Sequence, residues 1–135
     1  MKISLIDYGA GNLPSVERTL HRLAFPTERV DSPEGVANAS ALILPGVGHY
    51  AALIRALDKN GLRDALIDAI ARGVPFLGIC LGLQALYQMS EEAPDLQGLK
   101  IFPGRVRDLT GNVKLPHMGW NRVQARNGSR LLDGI

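Results

Sequence analysis

One cysteine in the chain, Cys80, stands in the run P-F-L-G-I-C-L-G (Pro75 to Gly82), with Gly78 two residues before it and Gly82 two residues after. A short apolar run, a pinched turn and an amphipathic stretch from Leu83 form the order in which α/β enzymes lift a nucleophile out of a sheet. The turn is sharp, and strand and helix nearly touch, so the flanking positions must be small. A thiol beyond the carboxyl end of a parallel strand meets backbone N–H groups and the positive end of the following helix, which favour the thiolate that attacks carbonyl carbon. The competing reading is a buried cysteine that fills space; the paired glycines favour the nucleophile.

Acyl transfer also needs donors for the developing oxyanion, and two backbone N–H groups are the usual supply. The amide of Leu81, directly after Cys80, is one candidate. P-G-V-G (Pro45 to Gly48), at the end of another apolar run, is the second, with Val47 and Gly48 able to turn a peptide toward the site; an ordinary strand-to-helix turn is the alternative. A base is harder to find among His21, His49 and His117. His21 reads as a solvated residue on the first helix, and His49 would have to point back over the oxyanion loop to serve. His117, in P-H-M-G-W-N with Trp120, reads as part of a recognition surface. One Cys and three scattered His offer no metal-ligand spacing, so no metal is expected. No P-loop is present, and G-A-G-N-L-P lacks the third glycine and acidic partner of a dinucleotide fingerprint, so no nucleotide cofactor is expected either.

The elements that must position these groups follow from periodicity. Lys2 to Tyr8 reads as a strand, Gly9 to Asn12 as a turn, and Leu13, Val16, Leu20 and Leu23 as a helix with Pro14 in its first turn. Thr27 to Val30 and Ala41 to Leu44 read as strands, with Asp31 to Gly35 as a loop between them. Leu53, Ile54 and Leu57 mark a helix stopped near Gly61, and Leu62, Leu66 and Ile70 another ending at Gly73. Then come the strand Pro75 to Ile79 and a helix carrying Leu83, Leu86 and Tyr87. Alternating strands and helices imply parallel pairing with helices on both faces. Beyond Glu91, Lys100 to Phe102, Arg105 to Leu109 and Asn121 to Ala125 read as strands of a small antiparallel β extension. The expected fold is a flavodoxin-like α/β domain over residues 1–135.

The 135 residues suffice for one core, and 46% hydrophobic with 21% charged residues is ordinary globular composition. A net charge of +2 from dispersed basic residues gives no footprint for nucleic acid. The apolar runs are too short to span a bilayer, and Asp7 interrupts the N-terminal one, so a cytoplasmic location is expected.

Taken together, D-Y-G-A-G-N-L (Asp7 to Leu13), P-G-V-G-H (Pro45 to His49), G-I-C-L-G-L-Q (Gly78 to Gln84) and P-H-M-G-W-N (Pro116 to Asn121) resemble one family: the class I glutamine amidotransferases, and within it the glutaminase subunits of imidazole glycerol phosphate synthase. The resemblance implies that Cys80 attacks the side-chain amide of glutamine, forming a γ-glutamyl thioester and releasing ammonia. It also implies that Gln84 helps hold the substrate and that Val47, Gly48 and Leu81 line its carbonyl pocket. The implied partner is a (β/α)₈ barrel cyclase, which uses the ammonia in histidine biosynthesis, and Asn12 and Trp120 match positions at that contact. For Trp120 a partly buried core aromatic stays open as the alternative. Gating by the partner would act through a flip of the P-G-V-G peptide.

The pattern departs from the family in one place. A His-x-Glu pair supplies the family's base and its orienting carboxylate, whereas His21, His49 and His117 are followed by Arg22-Leu23, Tyr50-Ala51 and Met118-Gly119. The expectation is therefore an N-terminal fragment, catalytically incomplete, with apolar sheet surface left uncovered. Two other readings remain: a scaffold that binds the barrel without catalysis, and an elbow-cysteine protein related to the DJ-1 group.

Overall fold

The computed structural model describes residues 1–111, 114, 117, 119–124 and 129–132. Its centre is β1 (Ile3–Ile6), whose four residues are all buried. A strand covered on both faces has no reason to alternate polar with apolar, and I-S-L-I does not, apart from Ser4. Ser4 is satisfied by donating its hydroxyl to Glu28 Oε1 at 2.9 Å.

On one side β1 pairs with β2 (Thr27–Val30), and on the other with β3 (Leu42–Gly46), which in turn pairs with β4 (Phe76–Cys80). All pairs are parallel and the order is β2-β1-β3-β4, the flavodoxin-like arrangement expected from the alternation of strands and helices. Helix α1 (Leu13–Arg22) covers one face, burying Ile3, Leu5, Ala41 and Ile43 beneath Leu13, Val16 and Leu20. The other face carries α2 (Pro33–Ala37), α3 (Tyr50–Lys59) and α4 (Leu62–Ala71), with Val36, Leu53, Ile54, Leu57, Leu62 and Leu66 packed against Leu42 and Leu44. Fully burying each such side chain contributes about 1.5–3 kcal/mol.

The structure departs from the sequence reading at short elements. Pro33–Ala37 is a helix where a loop is expected: Ser32 is its N-cap, accepting from the Gly35 amide at 3.3 Å, and Pro33 supplies the first-turn φ. The helix after Cys80 is one turn long, α5 (Leu81–Gln84), and Tyr87 instead opens β5 (Tyr87–Ser90). Its continuation is blocked because the Ala85 and Leu86 carbonyls accept from Leu99 and Phe102 at 2.7 and 3.0 Å. The expected strands 100–102 and 105–109 are one, β6 (Phe102–Val106), which pairs with β5 in parallel. The β extension is thus parallel rather than antiparallel, because a crossover of 91–101 returns the chain in the same direction; among the described residues an isolated antiparallel bridge joins Met89 to Gln97. Asn121 to Gln124 form no strand, and Ala125 lies outside the described residues. Among the described residues, no helix is long and apolar enough to cross a membrane.

At the β4 edge, Leu77 and Ile79 are 40% and 38% exposed on the face that α1 covers only farther along the sheet. An apolar edge of this kind invites strand-to-strand association. Leu77→Lys is expected to shift the protein toward monomer in light scattering while changing stability by no more than about 1 kcal/mol. Leu66→Ala, inside the core, is expected to cost about 2–5 kcal/mol in denaturant unfolding.

Candidate functional site

Three strands deliver three loops to one end of the sheet: Asp7 to Asn12 after β1, the Pro45 to Gly48 segment at the end of β3, and Cys80 at the end of β4. In open parallel sheets ligands bind outside the carboxyl ends of the strands, where the order reverses; here that point lies between β1 and β3. The β3–β4 register sets Leu44 against Gly78, Pro45 against Ile79 and Gly46 against Cys80. The oxyanion-loop candidate and the nucleophile candidate therefore sit side by side because of strand pairing, not loop chemistry.

Cys80 has φ 55° and ψ −114°, a conformation an L-residue takes only under constraint. Packing supplies the constraint. A Cβ on Gly82 would overlap the Leu44 carbonyl oxygen outright, and one on Gly78 would stand 2.5 Å from the Gly82 oxygen and the Leu83 nitrogen. One on Gly46 would stand 2.6 Å from Leu81 Cβ and 2.8 Å from the Gly82 nitrogen. The three missing side chains let β3, β4 and α5 close on one another, and the bend that results leaves Cys80 free and exposed. Gly78 and Gly82 are the flanking pair the sequence marks. Gly46 was not singled out, because its role depends on a register that only the folded sheet supplies.

Leu81, buried, opens α5, so its N–H has no acceptor within the helix and remains available beside Cys80. Gln84, half-buried, closes the same turn. Across from them Gly48 has φ +88° with nothing within 4 Å of where a Cβ would be, and the Val47 side chain is exposed. The loop is thus held at Gly46 and open at Val47 and Gly48. Asn12 is exposed at the N-cap of α1, its carbonyl accepting from Ser15 at 3.1 Å. Trp120 is fully exposed among the described residues.

The histidines go elsewhere. His49 is the N-cap of α3: its Nδ1 accepts from the Ala51 amide at 3.1 Å, and its Nε2 lies 3.9 Å from Glu92, whose other oxygen accepts from the Tyr50 amide at 2.8 Å. His117 pairs with Asn121 at 2.8 Å, and His21 lies exposed on α1. No ring among the described residues hydrogen-bonds to the thiol.

Sequence reasoning also passed over Tyr8. Its ring is buried and its hydroxyl has no hydrogen-bond partner among the described residues. Burial is the main cause that raises the phenol above its ordinary pKa, with the nearby Val47 backbone acting in the opposite direction.

Residues 4–135 match the family model for glutamine amidotransferase class-I. The chain is 47% identical over 133 residues to imidazole glycerol phosphate synthase subunit HisH of Moorella thermoacetica, an alignment covering 98% of this chain and 63% of that protein. It is 42% identical over 135 residues to the chloroplastic imidazole glycerol phosphate synthase hisHF of Arabidopsis thaliana, covering 98% of this chain and 23% of that one. A solved glutamine amidotransferase superposes with a TM-score of 0.65 at 21% identity over 73% of this chain and 52% of that chain, a likeness of fold. The chain spans 63% of the length of the first curated relatives it matches.

The packing at the elbow yields a direct test. Gly82→Ala is expected to destabilise by about 3 kcal/mol or more, because the new methyl meets backbone rather than a yielding side chain. Gly119→Ala, whose methyl meets nothing within 4 Å, is expected to leave the denaturation midpoint unchanged.

Proposed function

The chain belongs to the class-I glutamine amidotransferase family, and from that premise we propose that it carries the nucleophile side of a glutaminase that supplies ammonia to an imidazole glycerol phosphate synthase. The observation that carries the reading is Cys80, an exposed thiol held at φ 55° beside Gly46 by the β3–β4 register.

In the proposed reaction the Cys80 thiolate attacks the side-chain carbonyl carbon of glutamine. The oxygen takes the negative charge and is held by the Leu81 N–H and by an amide of Val47 or Gly48. The intermediate collapses as the C–N bond breaks, the nitrogen leaves as ammonia after gaining a proton, and a γ-glutamyl thioester remains on Cys80. Water then attacks the thioester, releasing glutamate and restoring the thiol. Gln84, on the turn behind the nucleophile, orients the substrate. The proposed partner is a (β/α)₈ barrel cyclase that receives the ammonia, with Asn12 and Trp120 on the contact surface.

The capping role of His49 and the Asn121 pairing of His117 leave the general-base role unfilled by this chain's own histidines. The same observation favours a second reading, a barrel-binding scaffold without turnover, for which the exposed Trp120 would suffice.

Glutamate release measured with the barrel cyclase present separates the two. This chain extended to the length of its relatives is expected to turn over at least about a thousandfold faster than the 135-residue chain, and Cys80→Ala is expected to abolish release in both. Equal rates for the two lengths would contradict the unfilled base. Barrel binding with no thioester trapped at Cys80 in the extended protein would favour the scaffold. Gly48→Val, forced into a left-handed conformation, is expected to lower cyclase-stimulated turnover at least about tenfold with Cys80 alkylation by iodoacetamide unchanged.

A further inference from the structure

Segment 97–102 is wedged between α3, α4 and the stretch that follows α5. Gly98 is buried, and a Cβ there would lie 2.1 Å from the Tyr87 carbonyl oxygen, 2.6 Å from Tyr50 Oη and 2.7 Å from the Ala85 carbonyl oxygen. Its N–H donates to the Gln88 carbonyl at 2.9 Å, while Leu99 N–H donates to Ala85 at 2.7 Å and Phe102 N–H to Leu86 at 3.0 Å. The carbonyls of Gln97 and Gly98 both end on one side chain of α4: Arg63 donates from Nη1 to Gly98 at 2.7 Å and from Nη2 to Gln97 at 3.0 Å. Asp58 engages the rest of the guanidinium, its carboxylate accepting from Nε and, at 3.1 Å, from Nη2. A planar fork with five N–H donors holds a carboxylate and two carbonyls at once, which a lysine ammonium cannot do in the same plane.

We infer that Arg63 is a positioning residue for the nucleophile elbow: by clamping Gln97 and Gly98 to α4, it sets the segment that ends α5 one turn beyond Cys80. The inference rests on the glutaminase reading for its consequence in acyl transfer, and on the hydrogen bonds alone for the clamp. α5 is held at both ends. Beside Cys80 the close packing of Gly46, Gly78 and Gly82 fixes it, and past Gln84 the amides of Leu99 and Phe102 occupy the Ala85 and Leu86 carbonyls. The direction of the Leu81 N–H, and the φ of 55° sustained at Cys80, therefore depend on where residues 99–102 lie. The crossover that delivers those residues turns locally, Ala93 N–H donating to Ser90 and Leu96 N–H to Ala93. Arg63 reaches the end of it from 35 and 34 residues away and fixes its distance from α4. Deleting the fork takes this donor from the carbonyl of buried Gly98, so the segment shifts to find another and α5 loses its far support.

Arg63→Met keeps the aliphatic stem and deletes the donors, whereas Asp58→Asn breaks the ion pair and leaves the fork on its two carbonyls. Two measurements on the 135-residue chain compare them. The first is amide hydrogen exchange by NMR: in Arg63→Met, Leu99 and Phe102 are expected to exchange at least about tenfold faster, beyond any rise at Leu5 and Leu44. The second is the ratio of Cys80 capture by a chloroketone analogue of glutamine to its capture by iodoacetamide, which needs no oxyanion donor. That ratio is expected to fall at least about fivefold in Arg63→Met, and Asp58→Asn to keep both readings within about twofold of the unsubstituted chain. Arg63→Lys is expected to show the same pattern at smaller size, and it carries the test if Arg63→Met does not fold. Leu99 and Phe102 rising only in step with Leu5 and Leu44 overturns the clamp. Raised exchange with an unchanged capture ratio overturns the positioning role, and equal effects of Asp58→Asn and Arg63→Met overturn it in favour of the ion pair. An unsubstituted chain that takes the D-enantiomer of the analogue as fast as the L-form overturns the glutaminase reading, and the exchange rates then decide the clamp by themselves.

Discussion

The pairing of Gly46 with Cys80 across β3 and β4 is the constraint from which the rest of the site follows. Parallel strands hold their register through backbone bonds and through the apolar side chains committed to each face, and a slip of one residue would carry Leu42 and Leu44 from the larger cluster to the face under α1. Register is therefore secured by burial far from the chemistry. The close approach at the carboxyl end is then possible only without side chains, and Gly46, Gly78 and Gly82 meet that demand. Backbone strain at Cys80 is sustained because everything around it is overdetermined.

The two faces of the sheet divide the work. Beneath α1 lies a small cluster of Ile3, Leu5, Leu13, Ala41 and Ile43, while the opposite face gathers most of the large buried side chains of α3 and α4 together with Leu81, Ala85 and Leu86. The elbow is thus anchored into the larger core through Leu81, and the neighbouring loop is anchored through Tyr50 at the start of α3. Glu92 strengthens that anchor by accepting the Tyr50 amide and facing His49, which turns a histidine that might be sought as a base into part of a helix terminus. The loop thus has rigid roots on either side of a middle that is open at Val47 and Gly48.

What was legible in the sequence was local. The G-I-C-L-G run announces its elbow through spacing alone, and the helices of Leu53 to Leu57 and Leu62 to Ile70 announce themselves by period. Elements decided by distant partners were not legible. The helix after Cys80 stops at Gln84 because residues 99–102 claim the carbonyls it would need, and the parallel pairing of β5 with β6 depends on the path of the crossover between them. Ser32-Pro33 did carry a capping signal, passed over because the helix it starts is barely one turn. Gly46 lies inside the P-G-V-G run, yet the demand for glycine there arises across the strand pairing with Cys80, which no single segment displays.

The proposed chemistry depends on whether the register places usable donors around one oxygen. Glutamate γ-semialdehyde, added to the chain, forms a hemithioacetal with a competent Cys80 whose oxygen imitates the oxyanion, and a crystal structure of that adduct reads the site directly. The predicted result is an oxygen about 3 Å from the Leu81 amide and from an amide of Val47 or Gly48. An adduct whose oxygen faces solvent, with both segments turned away, would contradict it.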